Sequence, residues 1–323
     1  MKKCRTYDCA DAVNTQKKVG DYQKEYDEKN TNKSASKSPG QEEDNHAIGQ
    51  EKQGEINEQI HTNREAIQRQ NCLNVFNLSG GKDSTAALIL MIERGLPIDV
   101  VFNADTGMEF PEMYEHLAKV DEYLYQERGL HITTLRHPKG FEWLMFEEPK
   151  KRPNVIQRRI ENHLPLYGNG WPGIKVRWCT GALKTKLIDA AVRQMKADKA
   201  VLHHIGIAAD EAKRCKDKQY PLVEWGITEA KALQICYDHG FDFGGLYEKY
   251  KRASCYCCPF QRTLELQNLR KYHPQLWKHL MEMDQRAREQ FGGSPLGRFK
   301  QNWSVEGLDK RFAQEEKAKL ILP

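Results

Sequence analysis

The sequence predicts an α/β protein: a doubly wound parallel sheet followed by a helical, cysteine-containing C-terminal extension. Two observations carry this. From Cys72 onward, short apolar runs alternate with stretches of helical spacing, the pattern of a parallel sheet with helices on both faces. The first two apolar runs end in Ser79-Gly80-Gly81 and Asp105-Thr106-Gly107. Both therefore deliver small and polar residues to the carboxyl ends of strands, where ligands bind in such sheets.

The elements follow in order. CLNVFNL (72–78) is a short apolar run ended by Ser-Gly-Gly, which reads as a buried strand, and TAALILMIERG after it has helical spacing with a glycine stop. IDVVFNA is the second strand. PEMYEHLAKVDEYLYQER opens with proline and puts Met113, Leu117, Val120 and Leu124 on one helical face. HITTLRH is a third strand, ALKTKLIDAAVRQM a helix, AVLHHIGI a fourth strand, and TEAKALQICYDHG a helix opened by Thr228. His203 and His204, inside the fourth run, read as packed histidines rather than ligands. From Arg262 the chain, including LRKYHPQLWKHLMEMDQRAREQ, reads as helices lying beside the cysteines.

The chain has 323 residues, a formal net charge of +5 and a mean hydropathy of −0.77. Residues 1–70 carry 12 basic and 13 acidic residues with almost no clustered apolar positions, so they cannot bury enough surface to offset the entropy of ordering. They read as a disordered polar tail, with a weak helix over 55–70 and two unpaired thiols, Cys4 and Cys9. The expected division is this tail (1–70), an α/β domain (71–262) and a C-terminal helical extension (263–323). No run approaches the roughly 18 apolar residues of a membrane span, and the basic start MKKCRTYDCADAV lacks the apolar stretch of a secretory signal. A cytoplasmic protein without membrane contact is expected. Nine cysteines, an odd number, argue against a disulfide framework and for metal or redox chemistry.

Ser79-Gly80-Gly81-Lys82-Asp83-Ser84 lies between a strand and a helix. Its glycines let the backbone approach an anion, successive N–H groups at the helix start bind phosphate, Ser79 and Ser84 add hydroxyls, and Lys82 adds charge. It is not a Walker A loop, because Asp83 follows Lys82 where that loop has Ser or Thr. The same turn could instead be capped by its own serine or aspartate.

These strings resemble a known group. FNLSGGKDS (76–84) is similar to the PP-loop of the N-type ATP pyrophosphatases, with their Rossmann-like, adenine nucleotide alpha-hydrolase-like fold. DTGMEFPEM (105–113) resembles the DTG-x-x-FPE stretch of the phosphoadenosine phosphosulfate (PAPS) reductase branch. RWCTGALKTK (177–186), GIAADEAKR (206–214) and YPLVEW (220–225) resemble further segments of that family in the same order, so the likeness spans about residues 72 to 262. It implies ATP, or an adenylated sulfonucleotide, with its phosphates on Ser79 to Ser84. Leu78, Asn103, Ala104, Thr106 and Gly107 would lie nearby at strand ends. Lys82, Asp83 and Asp105 would be the catalytic groups, the two aspartates holding Mg²⁺. Asp83 reads equally as a helix cap, and Asp105 also as a turn residue. Lys184 and Lys186 would clamp phosphate or sulfate, or lie on a solvated helix face; Asp210, Glu211 and Arg214 keep part of the family's G-x-R-x-D-E-S segment.

Cys255-Tyr256-Cys257-Cys258 is the second strong feature. Its C-x-x-C spacing lets two thiolates reach one metal, and basic neighbours (Lys249, Lys251, Arg252) favour the thiolate. Iron–sulfur adenosine phosphosulfate reductases place a Cys-Cys pair in the RWCT segment and a C-x-x-C downstream; here the second member of the pair is Thr180. The implied ligands are Cys179, Cys255 and Cys258, with Cys257 as a fourth. Three ligands leave an open iron site, the arrangement of related nucleic-acid thiolases, whereas four close the site and suit zinc equally. Cys72, Cys215 and Cys236 read as packing residues.

The chain also departs from the family. PAPS reductases attack sulfate with a cysteine in a C-terminal Glu-Cys-Gly-x-His tail, and no cysteine follows Cys258. Ala208 and Ala212 stand where the family has Arg and Ser. Basic clusters at 150–152, 158–159, 213–218 and 249–252, with Trp171, Trp178 and Tyr256 nearby, suit a polyanion partner or form solvated faces. The reading is an enzyme that cleaves ATP between the α- and β-phosphates, activates an acceptor by adenylation, and couples this to sulfur chemistry at a cysteine-bound iron–sulfur or zinc site. A nucleic acid as acceptor and a sulfur- or electron-donor protein are the implied partners. The alternatives are a sulfonucleotide reductase using an external thiol, and a non-catalytic nucleotide-binding subunit of a nucleic-acid modification or defence complex.

Overall fold

A computed structural model describes residues 72–321, apart from 175, 196–198 and 254. The expected tail, its weak helix, Cys4 and Cys9 lie outside the described residues.

Strands β1 (Leu73–Leu78), β2 (Val100–Asp105), β3 (Ile132–Arg136) and β4 (Val201–Ile205) form one parallel sheet in the order β3-β2-β1-β4. Val75 sits opposite Val100 on one side and His203 on the other, and Phe102 opposite Thr133. The inner strands are apolar because both faces are covered, and Val75, Phe76, Val101 and Phe102 are buried. At the edge, β3 instead exposes Thr133 and Thr134. The chain runs outward from β1 to β3 and then crosses back to β4, so the strand order reverses at β1. In such sheets that reversal opens a crevice at the carboxyl ends.

Helix α1 (Lys82–Glu93) leaves β1 and buries Ala86, Leu88, Ile89 and Met91. Helix α2 (Pro111–Arg128) starts on a proline and ends at Gly129, whose φ of 64° supplies the left-handed cap. Its buried stripe contains Met113, Val120 and Leu124, as expected, together with His116. The loop after β3 carries α3 (Gly140–Phe146) and α4 (Pro153–Glu161), which the sequence reading passes over.

The third expected helix of the sheet domain begins earlier than its spacing suggests. Helix α5 (Trp178–Thr180) runs through a π-helical stretch (Gly181–Thr185) into α6 (Lys186–Gln194), which lies on β2 and β3. After β4 come a 3₁₀ turn (Ala209–Arg214), α7 (Pro221–Glu224) and α8 (Glu229–Asp238). Thr228 caps α8 by accepting the Lys231 N–H at 3.3 Å, and α8 packs on α1. His203 and His204 are strand histidines satisfied by Asn77 (3.3 Å) and Asn74 (3.1 Å).

The C-terminal region is helical: α9 (Leu246–Lys249), α10 (Thr263–Tyr272), α11 (Pro274–Phe291) and α12 (Val305–Ile321). Pro274 splits what reads in sequence as one stretch. Leu269, Leu280, Phe291 and Phe312 from this region join Phe76, Phe110 and Met113 in one apolar core.

Candidate functional site

The chain leaves β1 at Ser79 and turns sharply. Gly80 has φ = 80°, and a Cβ there would lie 2.8 Å from Met113 Sδ, so only glycine fits. Ser84 closes the turn: its Oγ accepts the Ser79 N–H at 3.2 Å, donates to the Gly81 carbonyl at 2.9 Å and lies 3.0 Å from Ser79 Oγ. Gly206, just past β4, supports it from behind; a Cβ there would come within 2.4 Å of Ser84 Cα. The Lys82 N–H donates to the Tyr247 hydroxyl at 2.8 Å. Among the described residues, the N–H groups of Gly80, Gly81 and Asp83 have no protein acceptor. Unpaired amides at a strand-to-helix turn make a cradle for an oxyanion.

The Lys82 ammonium is buried, 3.2 Å from Asp83 Oδ1, 3.3 Å from Glu229 Oε2 and 5.7 Å from the Tyr247 ring centre. Asp83 is held above the ordinary carboxylate range, first by burial and further by Glu229 and Glu211, with Lys82 pulling it back. Its Oδ1 is buried and accepts no hydrogen bond, while its Oδ2 accepts one from the Lys82 ammonium at 3.4 Å. A partly compensated buried carboxylate beside an oxyanion cradle suits Mg²⁺.

Asp105 is differently placed. Its Oδ1 accepts the Gly107 N–H at 2.7 Å and the Tyr114 hydroxyl at 3.0 Å, and its Oδ2 accepts the Arg136 guanidinium. Burial pushes this carboxyl up, but the bonds from Arg136, Gly107 and Tyr114 outweigh it and hold the group below its usual range. It straps the ends of β2, β3 and α2 together, which leaves Asp83 the better placed of the two for a cation.

Thr106 turns toward the cysteines rather than the loop, while the Gly107 N–H stays on Asp105. Thr106 Oγ1 donates to Glu109 at 3.0 Å and lies 3.4 Å from Cys255 Sγ, which is also 3.4 Å from Glu109 Oε1. The cysteine turn is fixed by the Tyr256 N–H on the Met108 carbonyl (3.0 Å), the Cys258 N–H on the Cys255 carbonyl (3.1 Å) and the Gln261 amide on the same carbonyl (3.1 Å). Lys184 joins this cluster rather than the phosphate loop. Burial alone would lower its ammonium, and the surrounding Cys255, Glu109, Cys179 and Cys258 outweigh that and raise it.

The structure thus brings Cys179, Cys255 and Cys258, all half-buried, around one lysine, while Cys257 is buried in the apolar core. All four are free thiols, and soft sulfur donors of this kind suit iron–sulfur or zinc. Among the described residues no three His, Cys, Asp or Glu side chains already stand at metal-holding geometry. The expectation of thiolates favoured by Lys249, Lys251 and Arg252 is corrected. Burial dominates and raises Cys255, Cys257 and Cys258. Lys249 meanwhile lies over the Tyr272 ring, 5.5 Å from its centre, and Lys251 and Arg252 are exposed.

Arg214 pairs with Glu211, and Asp210 accepts the Glu229 N–H at 3.1 Å, steadying the start of α8. Lys186 is exposed. In the basic cluster at 158–159, Arg159 is buried and donates to the carbonyls of Pro165, Tyr167 and Gly168, so it is structural. The sequence reading missed Tyr247, Glu229, Glu109 and Arg136, and gave Gly206, the first residue of GIAADEAKR, no role of its own. Four of these lie far from the groups they meet, and no motif spacing links them; Glu109, next to the DTG string, was within reach of it.

The phosphoadenosine phosphosulfate reductase domain matches residues 74–261, more than half of the chain. The chain belongs to this family. Both the loop and the cysteine turn fall within the matched region. Over 223 residues the chain is 26% identical to an uncharacterized protein of Methanocaldococcus jannaschii, a match covering 62% of this chain and 39% of that relative. The chain thus spans about two fifths of that relative's length. Among solved structures it is similar to the U34-tRNA thiolase NcsA from Methanococcus maripaludis with its [4Fe-4S] cluster. That likeness covers 71% of this chain and 78% of the other at 15% identity, with a TM-score of 0.33. Within the PAPS reductase domain family, Ala208 is a departure within the matched region. No described helix is long and apolar enough to cross a membrane.

Proposed function

We propose that this protein is a PAPS reductase-family enzyme that binds ATP with Mg²⁺ on Ser79–Ser84 and activates an acceptor by adenylation, with sulfur or electron chemistry at Cys179, Cys255 and Cys258. One observation carries the reading. The Asp105-Thr106-Gly107 turn ends β2 beside the phosphate loop, and its Thr106 touches Cys255 at 3.4 Å. An activated acceptor and a sulfur site would share one crevice.

An acceptor oxygen would attack the α-phosphorus as the bond to the β-phosphate oxygen breaks and pyrophosphate leaves. The amides of Gly80, Gly81 and Asp83, with Lys82, face the charge that gathers on the leaving group, and Asp83 would hold the cation. An iron–sulfur cluster on the three cysteines would supply a site to hold sulfur or pass electrons. Thr106, Glu109 and Lys184 would fix and charge-balance those cysteines.

Anaerobic purification with iron, zinc and acid-labile sulfide analysis, together with calorimetric titration of ATP·Mg²⁺, tests both halves. Bound metal that is lost in Cys179→Ala and in Cys255→Ala but kept in Cys215→Ala is the expected result. Protein with neither iron nor zinc would overturn the cysteine half, and absence of ATP binding the nucleotide half.

A further inference from the structure

Tyr247, on α9, lies outside every sequence motif yet occupies the point between the two halves of the site. Its hydroxyl accepts the Lys82 N–H at 2.8 Å, at the first turn of α1. Tyr247 lies eight residues before Cys255 on the same stretch of chain. A Cβ on Gly81 would lie 3.3 Å from that oxygen, so the hydroxyl borders the anion cradle itself. The Phe243 ring stands edge-on to the tyrosine ring, 4.7 Å between centres, and the Lys82 ammonium lies above it. These contacts fix the ring, and with it the hydroxyl.

The Lys82 amide already donates to this oxygen, so its own O–H is the part left to donate. Among the described residues no protein acceptor takes that hydrogen. A half-buried hydroxyl with a spare donor is one that an anionic oxygen in the cradle would take up.

Resting on the nucleotide reading above, we infer that Tyr247 is a positioning residue that donates to a phosphate oxygen of the bound nucleotide and ties that contact to the backbone carrying Cys255. Nucleotide in the cradle sharpens the hold of Tyr247 on Lys82, and with it the stretch of chain that runs on to Cys255. The cysteine turn is thereby fixed when an acceptor is ready to be activated.

The test is Tyr247→Phe, which keeps the ring and removes one oxygen. Two readouts are compared in the full chain: the affinity for ATP·Mg²⁺ by titration, and the alkylation rate of Cys255 and Cys258 by iodoacetamide with and without nucleotide, resolved by mass spectrometry. Thermal melts of both proteins confirm folding. In the unmodified protein, ATP·Mg²⁺ should slow alkylation of Cys255. In Tyr247→Phe, affinity should fall about tenfold, a charge-assisted hydrogen bond lost, and the nucleotide effect on alkylation should vanish. A merely structural tyrosine would change the melt and the basal alkylation rate but leave the nucleotide effect in place, and that result overturns the inference. Equal affinity in the two proteins overturns it too. If the unmodified protein binds no ATP at all, the nucleotide reading falls and the inference with it.

Discussion

His116 must stay neutral where it sits. It is 2% exposed on α2, its Nε2 is 3.1 Å from Thr85 Oγ1, and its ring lies 4.1 Å from that of Phe243. Its Nδ1 has no hydrogen-bond partner. Burial foremost, then the Lys119 charge, pushes its pKa from 6.5 down to about 4. A histidine depressed in the folded state binds its proton more readily when unfolded, so its contribution is intact above pH 6.5 and is lost as pH falls toward 4. At about 1.4 kcal/mol per unit, roughly 3 kcal/mol of stability should disappear over that window. Urea denaturation at pH 7.5, 5.5 and 4.5 should show this loss in the unmodified protein and a clearly smaller one in His116→Gln; equal slopes would count against it. Gly206 gives a second prediction at this scale. Gly206→Ala drives a methyl into the α1 backbone at Ser84, so it should cost about 1–3 kcal/mol and weaken ATP·Mg²⁺ binding. Gly81→Ala, meeting only a hydroxyl at 3.3 Å, should melt nearly normally yet bind ATP more weakly. The glycines of the loop were legible because SGGKDS is a local string. Gly206 and Tyr247 were not, because they meet the loop only through the fold.

At the scale of elements, local rules wrote most of the sheet and its helices. Gly129, Thr228 and Pro111 sit at the helix ends where capping requires them. Helix α3 went unread because FEWLMF is a short, nearly continuous apolar run, which periodicity cannot assign. The DTG-x-x-FPE string is clearer in the structure than in the sequence. Its Glu112 accepts from His273 Nε2 at 2.8 Å, and His273 Nδ1 meets the Tyr250 hydroxyl at 2.7 Å. Six residues on, Tyr256 meets His279 Nδ1 at 2.6 Å, and His279 pairs with Glu142 at 3.2 Å. Two Tyr-His-Glu chains thus bolt the cysteine turn and α9 to the break between α10 and α11. Glu112→Ala leaves the half-buried His273 without its partner and should cost about 1–3 kcal/mol in urea denaturation. Tyr250→Phe combined with it should add less than its separate cost, because the two act in one chain.

Across the whole molecule, the division expected at residue 262 does not coincide with a gap in the core. Phe110, from the family motif, packs on Tyr250 (4.8 Å), His273 (5.0 Å) and Tyr256 (6.4 Å between ring centres), residues on both sides of that boundary. Lys300, far along the chain, donates to the carbonyls of Pro259 (2.9 Å) and Gln261 (2.6 Å) directly after the cysteines. Asp284, fully buried on α11, accepts the Val305 N–H at 2.8 Å and so joins α12 to the same body. Removing residues 263–323 would strip cover from Phe110, Tyr250 and Tyr256 and take away His279, the partner of the tyrosine between the cysteines. Each large aromatic returned to water costs about 1.5–3 kcal/mol, and three together approach the whole stability of an ordinary domain. The truncated chain ending at Arg262 should therefore lack a cooperative thermal transition, bind a hydrophobic dye and retain no metal, whereas the full chain melts sharply. A truncated chain that melts cooperatively, and holds whatever metal the full chain is found to bind, would show that the C-terminal helices are an attachment, and that the cysteine turn is positioned by the PAPS reductase domain alone.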